Sequence, residues 1–293
     1  MRLGYACMNT TLGTKSRTCR LANATPERVA ELARENLADA RRMAQWNAEH
    51  GIGLLRLTSG MVPFGGLPVS GDWREALAED FAATGDVFRE TGMRVSTHPG
   101  QYVVLNSPKA HVVEAAIKDL EYHADFLEAM GVNGDMVIHL GGAYGEKEAA
   151  LDRFVETALA LPEKVRRRLV LENDDVTWNA VEVLEAARRT RLPMVFDPFH
   201  DSILASGSLT PHQALARALA TWPEDRIPKI HYSDQAPGKV EGTHADLVDA
   251  EAFHAFRSLA RGLRDFDVMV EAKHKELAVL PLLAALQEAR AEA

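Results

Sequence analysis

Long apolar runs, paired cysteines and an excess of positive charge are all missing from this 293-residue sequence. No run approaches the roughly 20 apolar residues of a membrane-spanning helix. The first residues, Met1 to Cys7, lack the apolar region of a signal peptide. Two cysteines, Cys7 and Cys19, imply no disulfide framework, so we expect reduced thiols in a cytoplasmic protein without a membrane partner.

The balance of charge is acidic, with 33 Lys and Arg against 42 Asp and Glu and a formal net charge of -9. Because nucleic-acid-binding domains are usually basic, this balance argues at first sight against such a partner. However, carboxylates that bind metal ions inflate the formal negative charge, and phosphate binding depends on the charge near the site. Charge alone therefore leaves the partner open.

Short apolar runs alternate with helical patterns along the whole chain. Strands are predicted at 2–5, 54–57, 93–97, 135–140, 169–172, 194–197, 229–232 and 267–271. Eight strand-then-helix units suit an eight-fold barrel, which commonly takes about 250 residues. We therefore predict an α/β fold, a single (β/α)8 TIM-barrel domain over residues 1–293, with the active site at the C-terminal ends of the strands. A doubly wound open sheet is the structural alternative.

Polar residues stand where the predicted strands end. The run Leu169 to Glu172 suits a strand buried on both faces, and such a strand can end in a carboxylate only if something compensates the charge. We expect a metal ion at Glu172. Other residues at or just after strand ends are Tyr5, Ser59, His98, His139, Asp197, His200, His231 and Glu271, and His244 lies in the loop after the seventh strand.

The histidines divide into two groups. Five follow strands, whereas six fall in or beside helices: His50, His111, His123, His212, His254 and His274. A single strand-end histidine is more often structural, and Asp197 or Glu271 alone could cap a helix, but unrelated roles would not sort the histidines this way. Five imidazoles and three carboxylates suit Zn, Mn or Fe better than Mg or Ca, and we predict two or three ions.

Motifs along nearly the whole chain resemble those of the UV damage endonucleases. They are RLGY (2–5), RTCRL (17–21), NL (36–37), GI (51–52), RLTS (56–59), THPGQY (97–102), IHLGG (138–142), LENDD (171–175), FDPFH (196–200) and KIHYS (229–233). The resemblance implies a barrel related to endonuclease IV that nicks duplex DNA immediately 5′ to cyclobutane pyrimidine dimers and 6-4 photoproducts. The products are a 3′-hydroxyl and a 5′-phosphate.

The same resemblance implies Mn²⁺, ahead of Zn²⁺ or Mg²⁺, and a distribution of ligands among the ions. Glu172 bridges two ions; one is held also by His98 and His139, the second is completed by Asp197, His231 and Glu271, and the third is reached by His200 and His244. The catalytic residues are Glu172, His231 and Lys229. Lys229 is either a carbamylated lysine facing the metal or an ordinary ammonium touching phosphate.

Residues that contact the DNA also follow from the resemblance. Gln101 and Tyr102 enter the duplex as a wedge, and Tyr5 and Asn9 line the pocket for the damaged dinucleotide. The cations Lys15, Arg17 and Arg20 approach phosphates. The alternatives are plain packing for Tyr102 and solvated loop charges for the three cations. A monomer acting on damaged double-stranded DNA, and associated with the nucleoid when bound, is expected.

Three other functions remain open. A sugar isomerase or epimerase on the same barrel would use two ions and an acid or base. A lesion-binding protein without nuclease activity would not need the full ligand set. An abasic-site endonuclease would differ only in its substrate. The wide polar loop after the first strand and the Gln101-Tyr102 tip favour an open DNA groove over a closed sugar pocket.

Overall fold

A computed structural model describes the backbone of residues 1–291 and the side chains of residues 1–287; the last two residues of the predicted domain lie outside this range. Its sheet consists of β1 (Leu3–Ala6), β2 (Leu54–Leu57), β3 (Arg94–Thr97), β4 (Asp135–His139), β5 (Leu169–Glu172), β6 (Met194–Val195), β7 (Lys229–Tyr232) and β8 (Asp267–Val270).

Parallel pairing closes these strands into a barrel. Hydrogen bonds join neighbours in the order β6-β5-β4-β3-β2-β1-β8-β7. The two outer strands of that series, β6 and β7, meet where the backbone N–H of His231 donates to the carbonyl of Phe196 at 3.1 Å. The predicted TIM barrel is confirmed, and the alternative of an open doubly wound sheet is wrong.

Helices surround the barrel and pack their apolar faces on it. They are α1 (Pro26–Glu49), α2 (Trp73–Ala76), α3 (Ala78–Glu90), α4 (Ala110–Ala129), α5 (Lys147–Ala160), α6 (Glu163–Arg166), α7 (Ala180–Thr190), α8 (Pro198–Ile203), α9 (Pro211–Ala220), α10 (Ala250–Leu259) and α11 (Glu276–Ala291). In the described part of the chain, none of them combines the length and apolar character that a bilayer crossing requires.

The barrel interior differs between its two ends. Val137, Val170 and Val195 form a small apolar cluster inside the barrel with Trp222. At the N-terminal end, Arg94 pairs with Asp135 at 2.8 Å and with Asp267 at 2.9 Å, so ion pairs fill that end. The C-terminal end opens instead into a cleft of about 570 Å³.

Candidate active site

Strand geometry brings the predicted polar residues to one end of the barrel. His139 and Glu172 are the last residues of β4 and β5 and stand opposite each other in the register of that strand pair. His98 and Glu271 directly follow β3 and β8, and His231 is the third residue of β7. Because all strands are parallel, their C-terminal ends share one face, and these side chains converge there.

Glu172 lies at the centre of the cluster and is fully buried. Its Oε1 is 2.6 Å from Nδ1 of His231, and its Oε2 is 3.0 Å from Nε2 of His98 and 3.7 Å from Nε2 of His139. Burial alone would raise the pKa of Glu172, but the imidazoles of His231 and His139 hold it well below its usual value. The residue is therefore a buried carboxylate at neutral pH.

Glu271, directly after β8, supplies a second carboxylate. Its Oε1 is 3.1 Å from Nδ1 of His231, and its Oε2 is 3.7 Å from Nδ1 of His244. Nη1 of Arg56 also pairs with Oε1. Burial opposes the charged form of Glu271, yet the guanidinium of Arg56 and the imidazole of His231 keep its pKa well below the ordinary value.

Asp197 is the third carboxylate, and the predicted strand there ends two residues early because Asp197 caps α8. Its Oδ1 accepts hydrogen bonds from the backbone N–H groups of Phe199 at 2.7 Å and His200 at 3.1 Å. Among the described residues its Oδ2 is buried and has no hydrogen-bond partner. Burial raises the pKa of Asp197, so its ionised form calls for a further cation.

His200 and Asn173 connect Asp197 to the rest of the cluster. Nδ1 of His200 is 2.9 Å from the carbonyl of Asn173 and 3.9 Å from Glu172 Oε1. Burial lowers the pKa of His200, but Asp197 and Glu172 outweigh it and raise the pKa to about 9. The amide of Asn173 donates to the carbonyl of Asp197 at 2.9 Å and accepts from its N–H at 3.0 Å.

All eight predicted ligands therefore form one contiguous group. Ring centroids are 5.9 Å apart for His139 and His200, and 6.0 Å apart for His200 and His244. In each of two sets of three residues, the ligand atoms all lie within 4.8 Å of one another. The sets are His98-Glu172-His231 and Glu172-Asp197-His200. Both sets contain Glu172, which is what a bridging carboxylate requires.

Unsatisfied polar atoms indicate that this group fits metal ions. Oδ2 of Asp197, Nε2 of His231 and Nδ1 of His139 are buried without hydrogen-bond partners in the described part of the chain. Buried polar atoms are normally paired, and metal coordination satisfies such carboxylate and imidazole atoms. The donor set thus suits divalent cations.

Lys229 lies deeper in the barrel than the predicted ligands. It begins β7, is fully buried, and its Nζ is 3.8 Å from Oδ2 of Asp135 at the N-terminal end. Burial lowers the pKa of Lys229 to about 8. The prediction of an ammonium that touches a DNA phosphate is therefore wrong for this structure, because the side chain does not reach the surface. Carbamylation remains a prediction.

Tyr5 and Asn9 do not line the open cleft in this structure, contrary to the prediction. Both are fully buried. The hydroxyl of Tyr5 donates to Asn47 of α1 at 2.8 Å and accepts from Nδ2 of Asn9 at 2.9 Å. Successive residues of a strand face opposite sides, and Tyr5 belongs to the side of β1 that packs on the helices.

Gln101 and Tyr102, by contrast, stand at the surface beside the site. Gln101 lines the cleft together with His98, His139 and Glu271. Tyr102 is 66% exposed, and its ring lies against Gly100, as the alternative of plain packing expects. Their position suits contact with a large ligand, and their role as a wedge remains a prediction.

The three loop cations have different surroundings. Lys15 and Arg20 are exposed. Arg17 pairs with Glu35 at 2.6 Å and with Asp39 at 2.5 Å, so its charge is already compensated by α1. Ser59, the weakest of the strand-end residues, donates to the carbonyl of His98 at 3.0 Å and so supports a ligand rather than acting as one.

Two residues of the site were not among the predicted site residues, Arg56 and Asn173. Arg56 is the one charged residue in the otherwise apolar strand LLRL. Asn173 directly follows Glu172 and is fully buried. A charge inside an apolar strand and an amide after the central carboxylate were the available signals, but only the fold shows which partners they contact.

A (β/α)8 barrel whose polar residues converge at the C-terminal face defines a broad class of TIM-barrel enzymes. Endonuclease IV from Thermus thermophilus superposes with a TM-score of 0.61 at 17% identity, covering 98% of this chain and 100% of that one. D-psicose 3-epimerase from Clostridium cellulolyticum superposes at 0.57 and 14% identity, covering 86% and 93%. These likenesses show the fold alone.

Closer similarities narrow the class to one family. The sequence profile of UV-endonuclease UvdE matches residues 1–292. UV DNA damage endonuclease of Clostridium perfringens is 30% identical over 98% of this chain and 71% of its own length, and that of Bacillus pumilus is 36% identical over 90% and 84%. The crystal structure of SacUVDE matches with a TM-score of 0.94 and 36% identity, covering 99% of both chains. The chain belongs to the UV-damage endonuclease family and is an endonuclease, with DNA as its substrate.

Proposed function

We propose that this endonuclease uses two or three divalent ions to nick duplex DNA immediately 5′ to UV photoproducts, both cyclobutane pyrimidine dimers and 6-4 products. It leaves a 3′-hydroxyl and a 5′-phosphate, and works as a cytoplasmic monomer on the nucleoid. The observation that carries the proposal is Glu172, shared by two sets of closely spaced ligand atoms at the mouth of the barrel.

Glu172 would bridge the first two of three ions. His98 and His139 would hold one ion with Glu172; Asp197, His231 and Glu271 would hold a second; and His200 and His244 would hold a third. Such ions, Mn²⁺ first among them, would activate water by lowering its pKa from about 15.7 toward about 7 and would offset charge on the leaving oxygen. The carbonyl of Asn173 orients His200 from outside the ligand set.

The cleft and the exposed Gln101-Tyr102 segment beside it would recognise the damaged DNA. A lesion is already poorly stacked, so displacing it from the duplex costs less than displacing intact bases. Gln101 and Tyr102 would fill the space that the lesion leaves, and Lys15 and Arg20 would contact phosphates. Tyr5 would reach the lesion only after leaving its bond with Asn47, and Asn9 only after leaving its bond with Tyr5.

A nicking assay tests the proposal directly. Metal-free protein is incubated with ultraviolet-irradiated supercoiled plasmid, with and without Mn²⁺, and the cut is mapped on an oligonucleotide carrying one pyrimidine dimer. We expect Mn²⁺-dependent nicks at the phosphate 5′ to the dimer. Equal nicking with excess chelator would contradict the metal dependence. A marked preference for an abasic-site duplex would contradict the choice of lesion.

A further inference from the structure

Arg56 brings a permanent positive charge into the mouth of the barrel. Its neighbours Leu55 and Leu57 belong to the core around the barrel, so the alternation of β2 turns Arg56 toward the interior. The side chain is only 15% exposed and lines the cleft together with Glu271. A buried guanidinium needs a compensating anion, and here Glu271 is that anion.

The mouth has little other permanent positive charge. Three carboxylates lie there, of which Glu172 and Asp197 are fully buried and Glu271 is 11% exposed. Their other contacts within the described residues are imidazoles or backbone N–H groups. Among the groups that pair with the three carboxylates in the part of the chain that the structure describes, Arg56 is the one whose charge does not depend on pH.

We propose that Arg56 is an internal counter-ion of the metal site: it neutralises Glu271 while the site holds no metal ion and turns to a DNA phosphate in the cleft once a divalent ion binds Glu271. The inference rests on the proposed metal-dependent function. It is supported by the ion pair itself and by the position of both residues on the cleft wall, where a guanidinium that leaves Glu271 still meets a phosphate.

Two opposing effects decide what the loss of Arg56 would do to metal binding. Loss of a residue that only orients a ligand weakens metal affinity by about 10- to 100-fold. Loss of a cation that repels the incoming ion strengthens it. Glu271 is also oriented by His231 at 3.1 Å and His244 at 3.7 Å. The repulsion should therefore dominate, and the counter-ion role predicts tighter binding.

The test compares R56Q with wild type, R56K and R94Q. Arg94 is a matched control because its side chain is similarly buried, at 14% exposure, and pairs with two carboxylates at the opposite end of the barrel. Thermal unfolding is measured with chelator and with excess Mn²⁺. Mn²⁺ affinity is measured from the electron paramagnetic resonance signal of the free ion. Nicking of irradiated DNA is measured at saturating Mn²⁺.

For R56Q we expect a metal-free Tm several degrees below that of wild type, Mn²⁺ affinity raised about tenfold, and a raised KM for irradiated DNA. Mn²⁺ should raise the Tm of R56Q more than that of wild type, since tighter binding stabilises more. The Tm with Mn²⁺ can still be measured if R56Q folds only with metal present. R56K should stay near wild type in Mn²⁺ affinity. R94Q should lose Tm without a change in Mn²⁺ affinity.

The outcomes separate this inference from the function on which it rests. Wild type that binds no Mn²⁺ overturns the metal-dependent function and the inference with it. Wild type that binds Mn²⁺ while R56Q binds it equally or more weakly overturns the counter-ion role alone. An unchanged KM in R56Q overturns the second half of the proposal, the contact with phosphate.

Discussion

Both ends of the barrel contain carboxylates in its interior, but the groups that pair with them differ. At the N-terminal end, Asp135 pairs with Arg94 at 2.8 Å, with Arg226 at 2.5 Å and with Lys229 at 3.8 Å. Asp267 pairs there with Arg94 at 2.9 Å. At the C-terminal end, three carboxylates face mainly imidazoles, and Oδ2 of Asp197 has no hydrogen-bond partner among the described residues.

The pKa shifts show what this difference means. Burial opposes ionisation of Asp135, but Lys229, Arg94 and Arg226 hold its pKa below the ordinary value. Burial raises the pKa of Asp197, which has no permanent cation as a direct partner in the described structure. At the N-terminal end, the buried carboxylates are therefore paired with protein cations, whereas Asp197 at the C-terminal end has no permanent cation as a direct partner among the described residues.

The largest expected effect comes from Glu172→Gln, which removes the carboxylate common to both ligand sets at the C-terminal end of the barrel. Nicking of irradiated plasmid should fall by about a thousandfold or more, since bridging ions contribute several kcal/mol to such reactions. Affinity for damaged DNA should largely remain, measured by fluorescence anisotropy. Glu185→Gln, on the exposed surface of α7, is the control. Nicking by Glu172→Gln at the wild-type rate would rule out the bridge.

Asp135→Asn should disrupt the ion pairs at the N-terminal end of the barrel and leave the candidate metal site at the C-terminal end unchanged. Its loss leaves Arg94, Arg226 and Lys229 without their shared anion, which should destabilise the fold by about 3–5 kcal/mol. Denaturant unfolding measures this loss. The affinity of the folded protein for Mn²⁺ should stay unchanged. A large loss of Mn²⁺ affinity would show that the two ends are not independent.

Low pH should weaken the same ion pairs of Asp135. Because the folded-state pKa of Asp135 lies below its ordinary value of 3.8, its ion pairs contribute stability above that pH, and this contribution is lost as the pH falls through the lowered pKa. Wild type should lose stability steeply below about pH 4, and Asp135→Asn should lose less over that range. Parallel curves for the two proteins would contradict the assignment.

A smaller effect is expected from substitutions in the exposed Gln101-Tyr102 segment. Changing Gln101 and Tyr102 to alanine should lower the preference for damaged over intact duplex by about tenfold, the order of one lost stacking contact. Comparison of nicking and binding on both duplexes measures it. Leu259→Ala, which also removes an exposed apolar side chain, should change nothing. Full discrimination in the double variant would exclude the wedge.

The barrel could be predicted from the sequence because it rests on local patterns. Each strand is a short apolar run, and the end of β5 at Glu172 was predicted correctly, whereas β4 was predicted to run to residue 140 and ends at His139. The end of β6 was predicted two residues too far because FDP reads as a continuing strand, whereas Asp197 caps α8. A local pattern does not show whether a carboxylate ends a strand or caps a helix.

Burial and pairing were beyond local patterns. Tyr5 and Asn9 looked available at the end of β1, yet both are bonded into the layer beneath α1. Arg17 looked like a phosphate contact, but Glu35 and Asp39 already compensate it. The contacts of Tyr5 and Arg17 are with residues more than 15 positions away, so they became visible only once the helices had packed.

The order of apolar runs and the residue types at their ends are properties of the sequence, and they determined the eight-stranded barrel and the set of imidazoles and carboxylates. Which charges meet was decided by the tertiary structure. Arg56 reaches Glu271 from 215 positions away along the chain, and Lys229 points to Asp135 rather than to the surface. The physical reason is that closing the barrel sets the distances between side chains on different strands, and those distances determine which buried charges are paired.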